Sequence, residues 1–358
     1  MKRILCLIEN LGSGGAERQI SGLAVLLKQQ GHEVEVWYYV NKDFYVPYLT
    51  ENGVNIRYLS DARNSTMRFF VLKKYIKGYS PDTIISYSVS PSLIGCLLRF
   101  MGRKFKMIVS ERSTTQQIGF REKFKFLCYR WADAVVPNSQ TEAEFIRRHF
   151  PKLSDRTVPI SNFVDTDYFS PVECDSKSSS DTVNIICVGR IVYPKNIPVF
   201  LDALYMVKAK GYQFSVKWFG QDRKDAYSQQ CKEIIYQKQL GDVFAFCEPS
   251  LNIVEEYRKA DVFCIPSIYE GYPNVLCEAM SCGLPVLGSR VSDIPYLIQE
   301  GKNGFLFDHD NADEIATKIE QMLDLSQEER GIMGRNSRGQ SSALFSKEIF
   351  IGKYKNLL

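Results

Sequence analysis

The sequence predicts an α/β protein with two parallel sheets, each in its own domain and each covered by helices on both faces. Three observations predict it. Short apolar runs alternate with helical stretches along almost the whole chain, the rhythm of parallel strands joined by helical crossovers. A length of 358 residues suits two cores rather than one. Near the middle, Asp175-Ser-Lys-Ser-Ser-Ser-Asp181 is small and polar and reads as a linker.

Composition narrows the class. Apolar residues make up 45% and charged residues 24%, as in ordinary globular proteins. A net charge of +4 is too small to argue for nucleic acid. The ten cysteines form no Cys-x-x-Cys pair, and Cys187, Cys264 and Cys277 lie in apolar runs, so they read as buried free thiols in a reducing cytoplasm. His32, His149 and His309 are far apart and suggest no zinc site. The apolar run at 4–8 is too short for a signal sequence. No stretch reaches the roughly 18 apolar residues of a membrane span. The expected location is the cytoplasm, either free or on the inner face of the membrane.

The first half opens with a strand over 4–8. The turn Gly12-Ser13-Gly14-Gly15-Ala16-Glu17-Arg18 follows, then a helix to about Gln30 with apolar Ile20, Leu23, Ala24 and Leu27. Gly31 caps it, and 34–37 is the next strand. A dinucleotide-binding fingerprint fails here, because Glu17 stands where the third Gly or Ala belongs and no well-placed acidic residue follows about 20 positions later. The glycines serve either a ligand approaching Gly14 and Gly15 or a plain tight turn. Strands over 54–59, 83–87, 106–110 and 134–138 then alternate with helices over 67–79, 91–101, 120–132 and 140–150.

Residues 99–131 differ in charge, with nine basic residues against Glu111 and Glu122, and with Phe100, Phe105, Phe120, Phe124, Phe126, Tyr129 and Trp131 interleaved. The stretch fits an anionic membrane surface, or equally a helix with one core face and one solvated basic face.

The second half begins with a strand over 183–188. Gly189, Arg190 and Lys195 follow in a loop before a helix near Pro198. Two cations converging on one loop suit a departing diphosphate, whose charge grows as its sugar bond breaks. Further strands are expected over 214–219, 243–247 and 262–265, with helices from about Lys224 and over 253–257. The run Tyr269 to Ser289 carries the densest chemistry. Glu270 precedes a helix and Glu278 lies about two turns into it. Pro273 suits the first turn, and N–H groups of Gly271, Tyr272 and Asn274 would point out of the helix start toward an anion. Carboxylates beside such a site accept from hydroxyls. A sugar and a ribose joined by a diphosphate would supply both kinds of group. The plainer reading makes Glu270 a cap and Glu278 a solvated face. Gly283 ends the helix, a strand over 285–288 follows, and helices over 312–325 and 346–358 close the chain.

The string Pro-Ser-x-x-Glu270-Gly-x-Pro, continued by Glu278-Ala-Met-Ser-Cys-Gly-x-Pro-Val, closely resembles the signature of family 4 retaining glycosyltransferases, also called group 1, of the bacterial surface-polysaccharide type. The resemblance covers nearly the whole chain and is strongest over 183–307. It implies the GT-B fold, two Rossmann-like domains with parallel sheets facing across a cleft. Residues 1–170 would be the acceptor domain, joined by a final helix at about 341–358. Residues 171–182 would be the linker and 183–340 the donor domain. It implies retaining transfer of a hexose-type sugar from a nucleotide-sugar, with no bound metal and no cofactor.

Site roles follow from the same resemblance. Glu270, Arg190 and Lys195 would be catalytic, Glu270 on the donor sugar and the two cations, with Gly189, on the diphosphate. Glu278 would take the ribose. Gly271, Tyr272, Pro273, Asn274 and Val275 would position the sugar, Gly14 and Gly15 would approach the diphosphate or the acceptor, and the main chain at Phe246 and Cys247 would meet the base. Asn162-Phe-Val-Asp165 resembles the hinge. Asp165-x-Asp167 and Asp308-x-Asp310 read as structural rather than metal-binding. Three departures stand out: Tyr296 for a common Glu, Gly220-Gln221-Asp222 for Gly-Asp-Gly, and Ser110-Glu111-Arg112 in a loop where many relatives carry histidine. Glu17, Glu111 and Arg112 are therefore the acceptor-side candidates, with an ion pair as the structural alternative for the last two. The expected donor is a UDP-hexose or UDP-N-acetylhexosamine. The expected acceptor is a glycan or a polyprenyl-diphosphate-linked sugar. A nucleotide-sugar epimerase or binding protein of the same fold is the second hypothesis. It is weakened because the chain lacks the acid/base carboxylates and histidines of such epimerases.

Overall fold

A computed structural model describes residues 1–62, 64–112, 115, 117–171, 182–250 and 252–358, and of Ser65 the backbone alone. The expected linker string at 175–181 lies outside the described residues. The chain divides into two compact units, Met1–Phe163 with Lys347–Leu358, and Val164–Ser346.

The first unit alternates β1 (Arg3–Leu7), α1 (Gly15–Gln29), β2 (Glu33–Tyr38), α2 (Val46–Glu51), β3 (Asn55–Tyr58), α3 (Ser65–Tyr79), β4 (Thr83–Tyr87), α4 (Val89–Phe100), β5 (Lys106–Glu111), α5 (Phe120–Cys128), β6 (Ala134–Pro137) and α6 (Gln140–His149). A 3₁₀ turn, Tyr129–Trp131, follows α5, so the helix expected over 120–132 is shorter than its aromatic run. The strands order as β3-β2-β1-β4-β5-β6, all parallel. Apart from the edge strand β3, which is mostly exposed, their apolar runs are buried on both faces, as a helix-covered parallel sheet requires.

The second unit repeats the plan with β7 (Val183–Val188), α7 (Ile197–Ala209), β8 (Phe214–Phe219), α8 (Ala226–Gln237), β9 (Phe244–Cys247), α9 (Ile253–Lys259), β10 (Val262–Ile265), α10 (Asn274–Ser281), β11 (Val286–Ser289), α11 (Ile294–Leu297), β12 (Gly304–Phe307), α12 (Ala312–Asp324) and α13 (Gln327–Phe345). The order β12-β11-β10-β7-β8-β9 is again all parallel. The chain then returns to the first unit as α14 (Lys347–Lys355), whose Phe350, Ile351 and Tyr354 are buried in that unit's core.

Two expectations shift. The boundaries anticipated at 170 and 341 fall at 163/164 and 346/347. The reason is a set of hydrogen bonds inside the second unit: Arg338 Nη1 donates to the carbonyls of Thr166, Phe169 and Ser281, and the N–H of Val164 donates to the carbonyl of Phe345. The helix α13 lacks an apolar stripe and escapes the sequence pattern. It buries Gly334, Ser337 and Ser341, and a Cβ on Gly334 would stand 2.1 Å from the carbonyl oxygen of Gly283. Small residues bring its backbone against the end of α10.

The nine described cysteines are free, and all but Cys247 are buried. Burial pushes the Cys6 and Cys282 thiols up to about 12, so neither offers a thiolate. Among the described residues no helix is long and apolar enough to cross a membrane.

Candidate functional site

In an open parallel sheet, ligands sit beyond the carboxyl ends of the strands where the strand order reverses. In the second unit that point lies between β7 and β10. The loop after β7 carries Gly189, Arg190 and Lys195, and the loop after β10 carries Glu270. The fold therefore brings together residues 75 positions apart. Lys195 Nζ lies 2.5 Å from Glu270 Oε1, with both side chains only partly exposed. The same oxygen accepts from Ser267 Oγ at 2.6 Å, and the Glu270 N–H donates to Ser292 Oγ at 3.1 Å. The two loops are tied by their main chains, Ile268 N–H to the Pro194 carbonyl at 2.9 Å.

Local chemistry explains how each group is placed. Lys195 ends a short 3₁₀ turn, and Asn196 after it adopts the left-handed conformation that begins α7, its side-chain amide donating to the His309 carbonyl. Gly189 leaves room for the Lys195 stem, since a Cβ there would lie 2.9 Å from Lys195 Cε. Its carbonyl accepts from Trp218 Nε1 at 2.7 Å. Arg190 is exposed. Glu278 is buried on α10 and accepts from the Tyr257 hydroxyl at 3.2 Å, so it is not the solvated helix face of the plainer reading.

One expected feature differs. Pro273 is the cap of α10 rather than a residue of its first turn, and the Asn274 N–H closes a turn onto the Tyr272 carbonyl at 2.9 Å. That N–H does not point out of the helix, because the proline at the cap tightens the turn before it. Gly271 and Val275 are half-buried beside this turn, and Tyr272 is buried. Phe246 and Cys247 end β9 at the sheet edge, away from the β7/β10 point. The Cys247 carbonyl already accepts from the Gly220 N–H. Asp165 caps its own turn through Tyr168 N–H, and Asp308 pairs with Arg290.

In the first unit the reversal lies between β1 and β4. A pocket of about 660 Å³ opens there, lined by Glu9, Ser88, Ser90, Leu93, Glu111 and Arg112 among others, with Ala16 from the start of α1. Arg112 donates to Asn162 Oδ1 at 2.6 Å and to the hydroxyls of Tyr87 and Tyr354 at 2.5 and 2.9 Å, and its guanidinium lies 4.2 Å from the Tyr87 ring centre. Burial raises the Tyr87 hydroxyl far above its ordinary range, against the pull of Arg112, so this partner stays a neutral phenol. Glu111 is buried and paired with Lys125 at 2.8 Å. Both residues border the pocket, but their charges are committed inside the unit. Gly14 and Gly15 are exposed at the start of α1, and Glu17 folds back over Gly14, where a Cβ would meet its Oε2 at 2.2 Å. Ser88 has φ 77° and ψ 153°, a conformation costly for a side-chain-bearing residue and typical of functional sites.

Sequence reasoning did not single out Ser267, Ser292, Tyr257 or Ser88 as functional. Ser267 had a signal, a hydroxyl three residues before a carboxylate in a loop. Ser292 and Tyr257 meet their partners only through the fold.

The chain is similar to known proteins over almost its whole length. Residues 13–168 match the family described as Glycosyltransferase Family 4, and residues 175–340 match Glycosyl transferases group 1. An amylovoran biosynthesis glycosyltransferase of Erwinia amylovora is 25% identical over all of both chains. An undecaprenol-diphosphate-linked α-1,4-N-acetylgalactosaminyltransferase of Campylobacter jejuni is 28% identical over 90% of this chain and 89% of its own. Among solved structures, a glycosyltransferase of Rickettsia africae superposes with a TM-score of 0.87 at 19% identity, covering 99% of this chain and 97% of its own. Anabaena HepE, solved with UDP, gives 0.85 at 18% over 99% and 98%.

Proposed function

The chain belongs to the group 1, family 4 glycosyltransferases of GT-B fold, and from that premise we propose that it moves a hexose-type sugar from a UDP-sugar to a lipid-linked glycan, with retention and without a metal. The coarser activity, glycosyl transfer in bacterial polysaccharide synthesis, is common to it and its relatives. The observation that carries the finer reading is the Lys195–Glu270 pair at the switch point of the second sheet. Lys195, with Arg190, meets the diphosphate and stabilises the charge that builds up as the anomeric bond breaks. Glu270 accepts from sugar hydroxyls and Glu278 from the ribose. The acceptor sugar takes the pocket beside Glu9, Ser88 and Ser90 in the first unit. The epimerase reading is not favoured, because the relatives named above are transferases.

A membrane surface completes the proposal. Phe120, Phe124 and Leu127 of α5 and Leu97, Phe100 and Met101 at the end of α4 are exposed, on helices that pack together. Arg121, Lys123 and Arg130 are exposed beside them. An apolar patch with basic neighbours suits an anionic bilayer surface. The Campylobacter relative, by its name, acts on an undecaprenol-linked acceptor, and such an acceptor would lie at that surface.

The test is a melting-temperature screen against UDP-, GDP-, ADP- and dTDP-sugars with EDTA present. A ligand of the folded state raises the melting temperature by mass action. A rise with UDP-sugars in EDTA is expected, and no rise with any of the four would sink the donor site. Flotation with phosphatidylglycerol vesicles tests the surface, and the double change Phe120→Ser, Phe124→Ser is expected to release the protein.

A further inference from the structure

We propose that Ser267 is the residue that holds the Glu270 carboxylate in place when Lys195 leaves it for the donor diphosphate, a positioning role that rests on the donor reading above. Glu270 Oε1 accepts from Lys195 Nζ at 2.5 Å and from Ser267 Oγ at 2.6 Å. The ammonium is wanted in two places, because the diphosphate needs the cation that the carboxylate now holds. A diphosphate carries more charge than one carboxylate, so the competition favours the ligand.

The two donors differ in freedom. Lys195 is a point charge on a flexible stem, and the bare Cα of Gly189 leaves that stem space. Ser267 is fixed. It is fully buried, and its carbonyl accepts from Ser289 Oγ at 2.6 Å on the neighbouring strand β11. Pro266 precedes it, and Ile268 after it is bonded to Pro194 in the Lys195 loop. The exchange is therefore a side-chain movement in which Lys195 swings and Ser267 stays. The lone pair that Lys195 vacates on Oε1 then accepts from a sugar hydroxyl, and the Ser267 hydroxyl keeps the carboxylate from rotating away. Ser267 touches neither sugar nor phosphate and acts only through Glu270.

Calorimetric titration of wild type and Ser267→Ala with UDP, UDP-glucose and UDP-N-acetylglucosamine separates this role from a structural one. The hydrogen bond at stake reaches a charged group, so the variant is expected to bind whichever UDP-sugar the wild type binds about 10- to 100-fold more weakly. Its affinity for UDP alone, which lacks the sugar, is expected to stay within about twofold, and this also reports that the site is folded. Equal losses for UDP and UDP-sugar, or no loss for either, would overturn the proposal and leave the donor reading standing. Failure of the wild type to bind any of the three would overturn the donor reading, and this proposal with it.

Discussion

At the switch point of the second unit, Lys195 and Glu270 face one another with their side chains partly open to solvent. At that of the first unit, Arg112 is held by Asn162, Tyr87 and Tyr354 and stacked on a ring, while Glu111 is buried against Lys125. The same topology thus carries charge in two states. In one unit a flexible cation can be traded to a ligand. In the other the charges knit β4, β5 and α14 together, and Ser88, Ser90 and Glu9, whose carboxylate lies 3.8 Å from Arg68, line the pocket beside them. A charged residue at a switch point is therefore not a binding residue by position alone. What distinguishes the two cases is how many partners would have to be abandoned.

The largest effect should come from breaking the tradeable pair. Lys195→Ala is expected to lower the turnover rate about 10²- to 10³-fold, since one cationic donor to a developing charge is removed, while the melting temperature barely moves. A single-turnover assay beside a thermal melt checks both. The opposite pattern is expected for Arg112→Ala. It leaves buried Tyr87 and Tyr354 hydroxyls short of a donor, and a loss of about 3 kcal/mol of stability is expected in denaturant unfolding. If instead Arg112→Ala unfolds like wild type and loses only acceptor binding, the contrast between the units collapses.

Gly189→Ala sharpens the comparison at smaller scale. The new Cβ must push the Lys195 stem aside, so kcat/KM is expected to fall about tenfold with the fold intact. The smallest effect belongs to Asp222, in the turn next to this loop. A hydrogen bond from Lys232, then one from the Lys224 N–H, lowers its carboxyl to about 2. A carboxyl lowered on folding contributes stability above its ordinary range and loses it as pH falls toward 2. The pair is exposed, so acid titration of Asp222→Asn should differ from wild type by under about 1 kcal/mol.

The alternation of both sheets was legible because buried parallel strands leave continuous apolar runs and their crossovers leave helical ones. The long helix α13 was not legible, because it packs through Gly334, Ser337 and Ser341, and small residues leave no hydrophobic period. Glu270, Lys195 and Glu278 stood out by motif and spacing. Their supports Ser292 and Tyr257 did not, because each reaches its carboxylate's residue from a different element. The commitment of Glu111 to Lys125 was open as an ion pair in the sequence and needed the fold to name the partner.

The return of α14 to the first unit has a consequence for synthesis on the ribosome. The core around Tyr87 is closed by Phe350, Ile351 and Tyr354. Residues 1–163 leave the ribosome early but lack that closing piece, whereas the second unit is complete by Ser346. The part of the protein made first is therefore the part finished last. Until residues 347–358 arrive, the places that Phe350, Ile351 and Tyr354 fill in that core stay open, within reach of chaperones and proteases while its younger neighbour can already fold.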